Sequence, residues 1–150
     1  MKKLRFYSGW NEDAIYNRFL VNGDKAFMVD LLPELEDDYA AWEQEKKSAD
    51  GLFWQYDVRD AMEETISGGR KEKNPRPSIN SYMFGNAWAL VFIANAAGKP
   101  SLAGKYLHKA DSIRIITEKK LWNSKDEFFE VRKEQGDTLA NVKEEIGFLP

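Results

Sequence analysis

The chain contains no cysteine, which excludes disulfides and thiolate-ligated metals and leaves the redox compartment unreadable. Histidine is nearly absent: His108 is the only one, and it stands beside Lys109 on an amphipathic segment, as a surface residue rather than a base. No His/Cys/carboxylate set has metal-ligand spacing. Calcium held by Asp57, Asp60 and Glu64 would lack the alternating pattern of known loops. Neither a metal nor an organic cofactor is therefore expected. There is no excess of positive charge: the net charge of −3 gives no electrostatic case for nucleic acid or an anionic membrane. No apolar run reaches the roughly 18 residues of a membrane span. The opening MKKLRFYSGW has basic residues but no apolar stretch of a secretory signal, so the cytoplasm is the default address. SGG at Ser67–Gly69 lacks the pattern of a phosphate loop. The basic run Arg70–Arg76 reads as a solvated loop, since one such loop in an acidic chain is weak evidence for a phosphate partner.

What the chain does have is apolar and aromatic material. Its 150 residues suit a single domain, and 43% hydrophobic with 31% charged is ordinary for a globular chain. Aromatics reach 13% and include five Trp. The stretch around which the rest is organised is Asp50–Asn86, DGLFWQYDVRDAMEETISGGRKEKNPRPSINSYMFGN. Phe53, Trp54 and Tyr56 open it. Four carboxylates follow within eight positions: Asp57, Asp60, Glu63 and Glu64. After a Gly/Lys/Pro loop, Arg76, Asn80, Ser81 and Tyr82 begin an apolar segment.

Helical periodicity flanks this stretch on both sides. Ser8–Gly23 reads as a helix with Asn11 as N-cap, Glu12 and Asp13 on the positive end of the dipole, and Gly23 as the stop. Asp24–Lys47 reads as a second, capped by Asp24, with Phe27, Met28, Leu31, Leu32, Leu35, Tyr39 and Trp42 near a 3.6 period. Pro33 should kink or split it. The short link between the two predicts an antiparallel hairpin. The central stretch to Arg76 is expected to be irregular, with a short helical turn within Asp57–Ile66. The loop SGGRKEKNPRP is expected to be exposed and mobile.

Ser78–Ala97 reads as a third helix, ended by Gly98 and Pro100; being apolar nearly all round, it should be an inner, buried one. Ser101–Trp122 is a fourth, capped by Ser101, with Leu102, Tyr106, Leu107, Ala110, Ile113 and Leu121 on one face and Lys105, Lys109, Arg114 and Lys119 on the other. Trp10, Trp42, Trp88 and Trp122 read as core, and Trp54 as core or site. Beyond Asn123, Phe128, Phe129 and Val131 suggest a short strand, Gly136 and Asp137 a turn, and Asn141 the cap of a last helix, VKEEIGF. The apolar ending Phe148–Pro150 raises the expectation of a longer parent.

Aromatic rings stack on the apolar faces of sugars, and carboxylates bind hydroxyls or move protons. Glycoside hydrolysis needs two carboxyl groups, roughly 5 to 9.5 Å apart, one of them a protonated acid. Burial against apolar groups supplies the raised pKa. On composition alone, four acids in a loop also read as a solvated patch.

FWQYDVRDAMEETISG followed by RPSINSYMFGNAWAL resembles the mannosylglycerate-hydrolase-like and family 63-like glycoside hydrolases, which are related to trehalases. In those a D-x-x-D-x-M-(D/E) segment precedes an R-P-(S/T)-(I/L)-N-S-Y segment that opens an inner helix. KKLWN at Lys119–Asn123 and NVKEEIGFLP near the end also look like that group. The resemblance implies an all-α fold: α/α hairpins of an (α/α)6 toroid, with a short β-arm near the C-terminus. It also implies inverting hydrolysis of an α-linked sugar. By the same resemblance Glu63 is the general acid, and Trp54, Asp57, Arg59 and Asp60 line the −1 subsite. Arg76, Asn80 and Tyr82 match the polar opening of the following helix and are counted with the substrate-binding set. Ala61 stands where a Gly is common.

The family's general base is a Glu in a later helix pair, beyond Pro150. Twelve helices with ordinary connections need at least about 200 residues. Residues 1–150 are therefore expected to be part of a barrel domain, with a carbohydrate as partner and either a homo-oligomer or the remainder of a longer chain covering its apolar face. The isolated chain should not turn over sugars efficiently. The alternative is a non-catalytic α-helical repeat module that binds a protein or a sugar. Small residues at Ala87, Ala89, Ala94 and Ala97 would suit it, but no internal repeat supports it.

Overall fold

A computed structural model describes residues 7–60 and 64–150. Its helices are α1 (Asn11–Asn22), α2 (Lys25–Asp30), α3 (Leu32–Lys46), α4 (Pro77–Ala96) and α5 (Pro100–Leu121). A 3-10 turn covers Asp57–Arg59 and another Glu145–Phe148. A small sheet pairs β1 (Trp122–Asn123) with β2 (Phe128–Phe129), antiparallel, with Trp122 opposite Phe129 and Asn123 opposite Phe128. The chain is thus mostly helical with a short β-arm near its C-terminus, as the sequence predicts.

The helix ends follow backbone chemistry. Gly23 ends α1 at φ 70°, in the left-handed region, with its N–H donated to Phe19 O at 2.8 Å. Asp24 caps α2, its Oδ1 accepting Phe27 N–H at 3.1 Å. The predicted helix Asp24–Lys47 is split, because Pro33 lies in the first turn of α3, where its missing N–H costs nothing. Two predicted caps are not used. Trp10 occupies the cap position of α1 without a side-chain bond, and Asn11 donates instead to Asp38 Oδ2 at 3.2 Å. Pro100 is the first residue of α5, so Ser101 lies inside the helix and does not cap it.

Helix α4 is the hub. It packs along α5 on one side and against α1, α2 and α3 on the other. Ile79, Met83, Ala87, Leu90 and Ile93 of α4 are buried with Leu32, Tyr39 and Trp42 of α3 and Tyr106, Ala110 and Ile113 of α5. Each large apolar side chain so buried contributes about 1.5–3 kcal/mol. The main partner of α1 is α4 rather than α2, because the split leaves α2 only six residues long. Three of the four predicted core tryptophans are surface residues: Trp10, Trp88 and Trp122 are 54, 43 and 39% exposed. Each lies against another ring, Tyr82, Phe84 and Phe129 respectively. Trp42 is buried and His108 is exposed, as expected.

The loop after the acidic stretch is not free. Arg70, Lys71 and Lys73 are exposed, but Ser67, Gly69 and Asn74–Pro77 are buried, and the C-terminal arm stitches them down. Glu144 accepts both Ser67 N–H at 3.1 Å and Ser67 Oγ–H at 2.7 Å. Glu134 accepts Lys73 N–H at 2.7 Å and donates its own N–H to Asn74 Oδ1 at 2.8 Å, and Arg132 N–H reaches Pro75 O at 3.0 Å. The arm turns at Gly136 and Asp137, both with positive φ. Asn141 caps no helix: its N–H goes to Glu130 Oε2 at 2.7 Å, and only the four-residue 3-10 turn follows.

Candidate functional site

Leu52–Gln55 runs extended between the end of α3 and the start of α4. Trp54 N–H donates to Lys46 O at 3.0 Å, and Gln55 N–H to Asn74 O at 3.2 Å. Asn80, fully buried, clamps the middle. Its Oδ1 accepts Phe53 N–H at 2.9 Å, and its Nδ2 donates to Phe53 O at 2.9 Å and Arg76 O at 2.8 Å. Side chains alternate along an extended segment. Phe53 and Gln55 therefore turn into the protein, while Trp54 and Tyr56 share the other side, half-buried, with ring centroids 5.4 Å apart and nearly perpendicular.

The backbone then enters the Asp57–Arg59 turn. Asp57 Oδ1 accepts Val58 N–H at 2.6 Å, Oδ2 accepts Thr65 Oγ1–H at 3.4 Å, and Asp57 N–H donates to Gly69 O at 3.2 Å. Asp60 is paired with Arg76 Nε at 2.9 Å, and both side chains are sealed from solvent. Ser78 Oγ donates to the same Asp60 oxygen, and Arg76 Nη1 donates to Gly68 O at 3.4 Å. Burial pushes the Asp60 carboxyl up, against the opposing pull of Ser78, Ser8 and Arg76. Asp60 Oδ1 and Arg76 Nη2 retain no hydrogen-bond partner among the described residues. Tyr82 lies close by, edge-on to Trp10 at 5.1 Å. Burial raises its phenol pKa, and the Asp60 charge raises it further.

Asp60, Arg76 and Tyr82 are therefore gathered at the opening of α4, and Asp57 is joined to them through the Asp60 N–H, which its carbonyl accepts at 2.9 Å. Trp54 belongs to an adjoining cluster, and Arg59 reaches it with its guanidinium 5.4 Å from the Tyr56 ring centre. Asn80 serves the main chain. Arg76 stands out from the solvated run in which it was also placed, because it is 0% exposed. Glu63 lies outside the described residues. Among those described, no three carboxylate or imidazole groups converge as a metal would require, so Asp57, Asp60 and Glu64 do not form a calcium cage. Two residues escaped the sequence reading. Ser78 joins the Asp60–Arg76 pair, and its place after Arg-Pro could have flagged it. Lys46, at the end of α3, places its ammonium 3.8 Å from the Trp54 ring centre and 5.0 Å from that of Tyr56. Nothing in its local sequence marks it.

Beside Trp54 is a cleft of about 340 Å³, lined by Ser48, Asp50, Trp54, Lys73, Arg132 and Glu134 among others. Burial alone would raise the Asp50 carboxyl. Hydrogen bonds from Arg132, Lys120, Ser48 and the Leu52 N–H outweigh it and hold that group well below the usual carboxylate range.

Comparison with known proteins gives the arrangement a context. No functionally curated protein is detectably similar. A solved structure named "Sialidase" superposes with a TM-score of 0.91 at 45% sequence identity, over 95% of this chain and 13% of that one. The chain thus spans about an eighth of the length of that relative. The profile of the mannosylglycerate hydrolase MGH1-like glycoside hydrolase domain matches residues 1–150, and the chain belongs to that family.

Proposed function

We propose that residues 1–150 are the acid-bearing part of an (α/α)6 glycoside hydrolase domain that cleaves an α-linked sugar with inversion. In this reading Glu63 protonates the departing glycosidic oxygen. Trp54, Asp57, Arg59 and Tyr82 face the sugar of the −1 subsite, while Asp60, Arg76 and Asn80 hold the segment that carries them. The base that activates water is a carboxylate about 6.5–9.5 Å away, supplied by a part of the fold that this chain does not span. The observation that carries the reading is the family match over the whole chain. The ring pair Trp54–Tyr56, N-terminal to Glu63 in sequence, and the buried Asp60–Arg76 pair, whose two members bracket Glu63 in sequence, support it. The name of the solved relative puts sialosides beside neutral α-glycosides among the substrates to try.

The test is hydrolysis of a panel of α-linked glycosides by the polypeptide that completes the domain, with NMR of the first-formed anomer. Inversion is expected, with kcat in Glu63→Gln reduced by about 10²–10⁴-fold at unchanged folding. Retention of configuration, or full activity in Glu63→Gln, would overturn the assignment. The 150-residue chain alone should bind a sugar without turning it over.

A further inference from the structure

Neither helix capping nor burial accounts for Trp10. It occupies the N-cap of α1, where a side-chain oxygen is favoured, and makes no cap bond. It is 54% exposed, so it is not core. Its backbone is nevertheless tied down on both sides. Ser8 N–H donates to Arg59 O at 2.8 Å. The buried Asn86 of α4 donates from Nδ2 to Gly9 O at 3.0 Å and accepts Asp13 N–H on Oδ1 at 3.5 Å. The indole lies edge-on to Tyr82, with centroids 5.1 Å apart and planes at 64°, a T-shaped contact that fixes its ring plane. Tyr82 is half-buried, and the Asp60 charge reaches its phenol. Arg59 ends the turn that follows the Trp54–Tyr56 pair. The segment carrying Trp10 is thus bonded to the stretch on which the −1 subsite is proposed. Trp10 is also separate from the apolar stripe Phe84–Trp88–Phe92, because its partner Tyr82 is two residues from Phe84 on α4, a rotation of about 200°. A ring held in a fixed frame, open on one side and flanked by a phenol, is an apolar platform with a polar edge, the make-up of a small-molecule site.

We infer that Trp10, backed by Tyr82, stacks on a second sugar unit of the α-linked substrate, next to the sugar at the −1 subsite. The inference rests on the glycosidase reading and narrows it: the substrate is at least a disaccharide. A pyranose presents a face of C–H bonds that an indole covers, and hydroxyls at its rim within the chemistry of the Tyr82 phenol. A small open-chain leaving group has no such face.

The experiment is NMR titration of the full chain with maltose, trehalose and α-mannobiose, each against the methyl α-glycoside of its own sugar. It is repeated on Trp10→Ala, Trp10→Phe, Trp54→Ala and, as a control in the apolar stripe, Trp88→Ala. The expected result is a disaccharide bound about tenfold more tightly than its methyl glycoside. Trp10→Ala should remove that margin and leave the methyl glycoside affinity as it was. Trp10→Phe should keep most of the margin and Trp88→Ala all of it, while Trp54→Ala weakens both ligands. A margin untouched by Trp10→Ala would overturn the inference. So would equal weakening of both ligands by Trp10→Ala, which is the mark of a merely structural role, or an equal loss in Trp88→Ala. In those cases the glycosidase reading stands as long as Trp54→Ala weakens binding. Failure of every sugar to bind up to ~100 mM would overturn both.

Discussion

At the residue scale, the buried Asp60–Arg76 pair is the most consequential contact at the opening of α4. Taking two charges out of water is costly, and the pair survives because Ser78 and the Gly68 carbonyl complete its hydrogen bonds. Asp60→Ala should leave a buried guanidinium uncompensated and lower stability by about 3–5 kcal/mol in denaturant unfolding. Lys46 makes a second, pH-dependent prediction. Its folded pKa of about 8 lies below the ordinary lysine value of 10.5, so the unfolded chain binds more protons between those two values. Stability should therefore rise as pH increases through about 8 to 10. Above pH 10 Tyr39 and Tyr106 oppose that gain. Burial raises both phenols, neighbouring Glu43 raises Tyr39 and Glu36 raises Tyr106, and the folded state keeps their protons longer. Urea melts of the wild type and Lys46→Met across pH 7–10 would check it, with the slope absent in the variant.

At the element scale, α4 and the C-terminal arm divide the work. Helix α4 supplies core to every other helix, so Leu90→Ala, at a site with no exposure, should cost about 2–5 kcal/mol. The arm is a clamp. Its last turn fits only because Gly147 has no side chain: a β-carbon there would collide with the Phe128 ring and the Phe129 carbonyl. The arm holds the loop through Glu144, which takes both Ser67 donors. Glu144→Ala should free the loop on the C-terminal side of Glu63. Trypsin should then cut at Arg70 and Lys71 several-fold faster, with little change in global unfolding. An unchanged cutting rate would show that Asn74 and Pro75 hold the loop by themselves.

At the scale of the whole molecule, the outward stripe of α4 is still uncovered. Trp88 and Phe92 are 43 and 36% exposed and adjoin Phe84 and Tyr16 in a run of contacting rings. Contiguous apolar surface of this kind seeks a partner. The isolated chain is expected to self-associate, and Trp88→Glu with Phe92→Glu to return it to a monomer in sedimentation. A wild-type monomer at high concentration would show that the stripe tolerates water.

The sequence by itself determined the order of the main helices, the break at Pro33, the stop at Gly23 and the short strand at Phe128–Phe129. These depend on periodicity, fixed φ and missing donors, all of which act within a few residues. It also carried the family, because the Asp50–Trp88 block has its motif in one contiguous run. Tertiary structure alone decided the rest. Which tryptophans face water depends on which side of a helix meets α4, and an apolar all-round helix has no periodic signal to say so. Arg76 left a basic loop for the interior because Asp60, sixteen positions earlier, waited there with Ser78. The loop lost its freedom to acids some sixty to eighty positions downstream, Glu134 and Glu144. Lys46 met Trp54 because the chain folds back across the end of α3. All but the last are contacts of long separation, and no local pattern of side chains encodes any of them.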